Sequence, residues 1–108
     1  MNNTLQNLYV VVKDRQQNPQ EGSYTCYLFE KGLDKILKKV GEECAETIIA
    51  SKNDNEEELV GEICDLIYHL TVLMAEKGVT VDSVLEELDR RSEKIGNLKQ
   101  MRVTDKET

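Results

Sequence analysis

Val40-Gly41-Glu42-Glu43-Cys44-Ala45-Glu46-Thr47-Ile48-Ile49 is the stretch that decides how this chain reads, and Glu62-Ile63-Cys64-Asp65, followed by Leu66-Ile67-Tyr68-His69-Leu70, echoes it. Both set acids inside apolar runs of helical period. Glu42 and Glu46 are four apart, Glu43 and Glu46 three apart, and Glu62 and Asp65 three apart. Those spacings bring side chains onto one helical face, with Cβ atoms roughly 5–6 Å apart. Glu42, Glu43 and Glu46 then share an arc that adjoins Leu33, Ile36, Val40 and Cys44, while Glu62, Asp65 and His69 share an arc bordering Leu59, Leu66, Leu70 and Leu73. Packing the two apolar stripes together should gather these carboxylates near one point.

A bare cluster of that kind is unfavourable, because like charges repel and partial burial disfavours ionisation. A divalent cation inverts the local electrostatics. An all-oxygen ligand set with no Cys–His pattern suits a hard ion, Mg²⁺ with Mn²⁺ as a substitute. Taken singly, each glutamate reads as a solvated side chain of an acidic protein; the paired EExxE and ExxD, each beside an apolar stripe, favour the metal.

Around that centre, length and composition set bounds. A chain of 108 residues makes one domain with a small core, so association with a second copy is expected. Charged residues make up 32% and the formal net charge is −7, which argues against a nucleic-acid partner, whose footprint is basic. No run approaches the ~18 apolar residues of a membrane span, and no basic n-region precedes an apolar stretch at the N-terminus. Cys26, Cys44 and Cys64 have no CxxC spacing and read as reduced, small core residues of a cytoplasmic protein.

Outward from the acids, the pattern predicts about five helices and no strand. Residues 4–17 carry Leu5, Leu8, Val11 and Val12 on one side, with Thr4 as a cap. Asn18-Pro19-Gln20-Glu21-Gly22 breaks the run. A short helix or turn follows from Ser23 to Gly32, with Ser23 as cap; Ser23, Tyr24, Thr25 and Tyr27 offer hydroxyls there to packing or to a ligand. The third segment spans 33–52 and the fourth 55–77, joined by Asn53-Asp54-Asn55. The second half of the fourth is apolar nearly all round, which means burial on every side. Gly41 beside the acids leaves room for the close approach of a ligand or helix. Lys38 to Glu42 and Lys39 to Glu43 are also ordinary i,i+4 surface pairs. His69 is either a satisfied core residue or a partner that orients Asp65. The fifth segment starts at Thr80 or Asp82 and runs to about Ile95; Arg90, Arg91 and Lys94 suit its C-terminal dipole or a phosphate. The domain is thus expected over 1–95, with a flexible tail over 96–108.

Ser23-Tyr24-Thr25, Leu28-Phe29-Glu30-Lys31-Gly32, Lys38-Lys39-Val40-Gly41-Glu42-Glu43 with Glu46, and Asp65-Leu66-Ile67-Tyr68-His69 together resemble the phosphoribosyl-ATP pyrophosphohydrolase family. The resemblance covers roughly residues 5–95 and extends to the wider all-α, MazG-like and dimeric-dUTPase-like pyrophosphohydrolases. It implies a helical bundle completed by dimerisation. It implies Mg²⁺ on Glu43, Glu46, Glu62 and Asp65, with Glu42 at the edge of the site. It implies that phosphoribosyl-ATP is split by water between its α and β phosphorus atoms, giving phosphoribosyl-AMP and pyrophosphate, the second step of histidine biosynthesis. Glu42 or Glu46 is then the base. Lys38 and Lys39, followed by Lys31 and Lys52, are candidates for the phosphates, with Arg90 and Arg91 contributed across a homodimer. Ser23, Tyr24, Thr25, Tyr27 and Tyr68 are candidates for substrate contact. Two other readings stay open at this stage: a house-cleaning pyrophosphatase of the same superfamily, and a non-catalytic helical module whose acids are merely solvated.

Overall fold

In the computed structural model, which describes residues 2–93 and residue 104, five helices follow one another: α1 (Thr4–Gln17), α2 (Tyr24–Lys31), α3 (Leu33–Lys52), α4 (Glu56–Lys77) and α5 (Val81–Ser92). No strand occurs among the described residues, as the helical periodicity predicts. The expected extension of α5 to Ile95, Lys94, and the expected tail apart from Thr104 lie outside the described residues.

Local chemistry sets the boundaries. Ser23 caps α2 by accepting from the Cys26 N–H, Asn55 caps α4 by accepting from Glu58, and Thr80 caps α5 by accepting from Ser83; each satisfies an N–H that the first turn leaves unpaired. Glu56, Glu57 and Glu58 occupy the first turn of α4, where the helix dipole favours negative charge. Gly78 ends α4 at φ 70° in the left-handed region, which costs a residue without Cβ little. One expected cap is displaced: α1 begins at Thr4 itself, and Asn3 before it makes no side-chain cap bond.

α3 and α4 form an antiparallel hairpin, the most extensive contact in the chain; α1 crosses α4 and α2, α2 packs on α3, and α5 lies on α1. One residue or two from each of the first four helices fill the centre: Val12, Leu28, Ile36, Val72 and Ala75, surrounded by Leu8, Tyr9, Phe29, Tyr68 and Leu73. Burying a side chain such as Leu28 contributes roughly 1.5–3 kcal/mol.

The hairpin leaves a second apolar face uncovered. Leu33 and Leu37 share a groove of about 380 Å³ with Leu73, Met74, Lys77 and Val79, and further along Thr47 touches the Glu62 carbonyl. Leu37, Cys44 and Ile48 lie along α3 and Ile63, Ile67 and Leu70 along α4 of the same hairpin. All six are exposed, Ile48 by 65% and Ile67 by 41%. The sequence stripes therefore split: Ile36 goes inward, whereas Cys44 and Leu70 point out. The expectation that the cysteines are core residues is corrected here. Cys44 and Cys64 are exposed and Cys26 is half-buried, because positions with apolar neighbours in sequence lie on the outer face of the hairpin.

Leu28 is fully buried where four helices meet. Leu28→Ala should therefore cost about 2–5 kcal/mol, read as a fall in the urea midpoint at fixed protein concentration.

Candidate active site

Of the five acids that the spacing gathers, the hairpin brings three together, at three depths. Glu43 is 6% exposed, Glu62 is half-buried and Asp65 is exposed. One carboxylate oxygen from each lies within 4.8 Å of the others. Glu46 adjoins this trio, close enough to hydrogen-bond both Glu43 and Glu62. Between two carboxylates such a bond requires a shared proton. Burial first, then that bond and the charges of Glu46, Asp65 and Glu43, push the Glu62 carboxyl up to about 7 from 4.5. Burial, followed by Glu46 and Asp65, raises Glu43 as well, with Lys39 opposing.

Two buried oxygens, Glu43 Oε2 and Glu62 Oε2, have no hydrogen-bond partner among the described residues. An orphaned buried carboxylate oxygen costs free energy, and here two of them face one cluster. Hard oxygen donors converging in this way fit Mg²⁺ or Mn²⁺. Thr47 spans the hairpin beside them: its hydroxyl donates to the Glu43 carbonyl at 2.7 Å and lies 3.4 Å from that of Glu62. The sequence marks Thr47 only as an ordinary helical residue, since the contact to Glu62 is tertiary.

One side of the site is an aromatic wall. His69 Nδ1 donates to the Asp65 carbonyl at 2.7 Å, which leaves Nε2 as the acceptor for the Tyr24 hydroxyl at 3.0 Å. His69 thus holds the backbone of Asp65, not its carboxylate, and ties α4 to α2. One residue along each helix, Thr25 and Tyr68 share a second bond between the two helices, this one hydroxyl to hydroxyl. The rings of Tyr24 and Tyr68 stack 6.2 Å apart, and Tyr24 and Tyr27 stack 6.1 Å apart. Burial raises the Tyr24 phenol, opposed by Lys39. Burial also works against the charge on Lys39, but Tyr24, Glu42 and Glu43 outweigh it and raise its pKa.

The remaining candidates fall into three groups. Lys39 stands at the site and pairs with Glu42 at 3.6 Å, an i,i+3 link instead of the i,i+4 pairs that the sequence suggests. Lys38 and Lys52 are exposed and form no ion pair among the described residues. Arg90 and Arg91 both bind Glu87 on α5, which packs on α1 and not on the acid cluster. The hydroxyls of Ser23, Tyr24, Thr25 and Tyr68 are spent inside the chain, on a cap, His69 and each other. Tyr27 lies beneath Lys31 and Lys35; Lys35 had no motif to distinguish it in the sequence. A Cβ added at Gly41 would meet no atom within 4 Å, so no neighbour within the chain requires a glycine there.

Residues 5–92 match the family model described as phosphoribosyl-ATP pyrophosphohydrolase. A phosphoribosyl-ATP pyrophosphatase of Clostridium botulinum is 59% identical over 103 residues, covering 95% of this chain and 94% of the relative. One from Listeria welshimeri is 58% identical over 101 residues, 94% of this chain and 97% of that one. The histidine biosynthesis bifunctional protein HisIE of Caldanaerobacter subterraneus is 60% identical over 90 residues, 83% of this chain and 44% of its own length.

A carboxyl whose pKa is higher folded than unfolded holds its proton more tightly in the fold. Its contribution to stability is then present below the unfolded value and lost as pH rises through the folded one. Metal-free protein should lose stability from pH 4.5 to about 7, the window set by Glu62. Melting temperatures across that range in EDTA check this; Glu62→Gln should flatten the slope, and excess Mg²⁺ should reverse it.

Proposed function

The chain belongs to the phosphoribosyl-ATP pyrophosphohydrolase family, and we propose that the carboxylate cluster between α3 and α4 is where it hydrolyses phosphoribosyl-ATP to phosphoribosyl-AMP and pyrophosphate, the second step of histidine biosynthesis. The observation that carries this reading is the convergence of Glu43, Glu62 and Asp65 with two buried, unpartnered oxygens. Those three residues would hold Mg²⁺, or Mn²⁺ in its place, with Glu46 beside them as a further ligand. When bound, the ion supplies neutralisation of phosphate oxygens and a lowered pKa for water.

The chain's own groups do the rest. Glu46 lies beside the three residues that converge and would give the ion at most one oxygen, so its other oxygen is placed to take the proton as a water oxygen forms its bond to the α-phosphorus. The bond from that phosphorus to the bridging oxygen breaks, and pyrophosphate leaves with the bonding pair. Glu42 is the lesser base, because Lys39 engages it. Lys39, with its charge reinforced by its acidic neighbours, faces the developing negative charge on the phosphates. His69 and Thr47 keep the backbones of Asp65 and Glu43 in register, so the ligands are pre-arranged before substrate arrives.

The working unit in this proposal is a cytoplasmic homodimer. Its support is the uncovered face of Leu37, Ile48, Ile63, Ile67 and Leu70. An apolar patch of that extent commonly marks an interface, and closed two-fold pairing is the most frequent way to cover one. Arg90 and Arg91, on the helix that packs against α1, would reach phosphate from the partner copy.

Glu43→Gln and Asp65→Asn should each lower kcat about a hundredfold or more while leaving the circular dichroism spectrum and the helical fold intact, since removing a like charge relieves repulsion. EDTA should abolish pyrophosphate release, and activity that survives it sinks the metal. Light scattering should give about twice the 12.4 kDa chain mass, and Leu70→Glu should halve that value or unfold the protein. Mixing Glu43→Gln chains with Arg91→Ala chains should restore activity if sites are shared.

A further inference from the structure

Two lysines at the α2–α3 turn take no part in the acid cluster. Lys31 is the last residue of α2 and Lys35 lies in the first turn of α3. Gly32 between them, at φ 93°, redirects the chain, and both side chains reach the same ring: Lys31 Nζ is 5.8 Å and Lys35 Nζ 5.9 Å from the Tyr27 centroid. Neither forms an ion pair with a carboxylate among the described residues. This happens in a chain with 21 acidic and 14 basic side chains, where partners are plentiful. Two ammonium groups held at one ring repel each other, and exposed cation–π contacts are weak compensation. A doubly charged anion between them removes the conflict, and lysine binds phosphate as a mobile point charge.

The position of the pair matters as much as its charge. Tyr27 stacks on Tyr24 at 6.1 Å. Tyr24 in turn bonds His69 and is near enough to Glu43 and Glu42 to feel their charges. The lysines and the acid cluster are therefore two ends of one wall, with the two tyrosine rings between them. Phosphoribosyl-ATP carries phosphate at both of its ends: the triphosphate on the adenosine ribose, and a phosphate monoester on the ribose attached to the base. With the scissile bond at the acids, the one base and its two sugars would lie along the rings and the monoester would arrive at the turn.

We propose that Lys31 and Lys35, held over Tyr27, bind the phosphate monoester of the phosphoribosyl group and so distinguish the substrate from ATP. The inference rests on the acid cluster being the hydrolytic site.

The test compares the full-length wild type with the double variants Lys31→Gln/Lys35→Gln and Lys31→Arg/Lys35→Arg. Three quantities are read: KM for phosphoribosyl-ATP, and inhibition constants for ATP and for ribose 5-phosphate. The glutamine variant should raise KM and weaken ribose 5-phosphate inhibition by about tenfold or more, with the ATP constant shifting by less than about threefold, and the arginine variant should keep KM within about threefold of wild type. An unchanged KM in the glutamine variant overturns the lysine site alone. An equal loss for ATP places the lysines on the triphosphate and also overturns it. A wild type that releases no pyrophosphate from phosphoribosyl-ATP overturns the reading of the acid cluster, and this inference with it. Should the glutamine variant fail to fold, ribose 5-phosphate set against ribose on wild type decides, and equal inhibition by the two rejects the site.

Discussion

Mutual repulsion among carboxylates at the α3–α4 contact is the constraint on which the rest of this structure turns. The hairpin packs most extensively of all the helix pairs, and it packs with Glu43, Glu62 and Asp65 converging at its edge. Hydrophobic burial at Ile36, Val72 and Ala75 forces acids together that would separate in water. The strain is visible in the Glu62 carboxyl, which holds its proton up to about 7, and in two oxygens with no partner. A site built this way stores a preference for positive charge. That preference is what a reaction on a polyphosphate needs, since the substrate is itself an anion that the acids alone would repel.

The remaining polar groups arrange themselves around that strain. Lys39 and Glu42 flank the cluster as an ion pair, while Tyr24, Thr25, Tyr68 and His69 form two hydrogen bonds between α2 and α4, one residue apart. These bonds use up hydroxyls that the sequence leaves free for substrate. What the wall presents outward is then mainly ring surface, with Tyr24 46% and Tyr27 39% exposed, suited to stacking more than to donating. His69 fixes its own tautomer through the Asp65 carbonyl, so a histidine next to the acids serves as a strut there. The same economy appears at Arg90 and Arg91, which Glu87 holds on α5, away from the cluster.

Two faces of the hairpin thus carry different chemistry. One is acidic and backed by tyrosines; the other is the apolar strip from Leu37 to Leu70. They are set on the same pair of helices, so whatever covers the strip also stiffens the carriage on which the acids sit. Covering apolar surface stabilises by roughly 25 cal/mol per Å², a gain that a chain with so small a centre has reason to use.

The sequence by itself determined the five helices, the caps at Ser23 and Thr80, and the shared helical face of the acids within EExxE and within ExxD, because each follows from residue spacing and short-range hydrogen bonding. Period and spacing name a face of a helix, but they do not say how deep that face lies or what stands opposite. Only the tertiary structure decided that Glu43 is buried while Asp65 is open, that Cys44 and Leu70 point outward, and that Thr47 reaches Glu62. It also decided that Lys35 joins Lys31 over one ring, a meeting that depends on the φ of Gly32 and on no motif. The physical reason is common to all of these: partners many residues apart, or across a turn of unusual dihedral, meet only once the helices have docked.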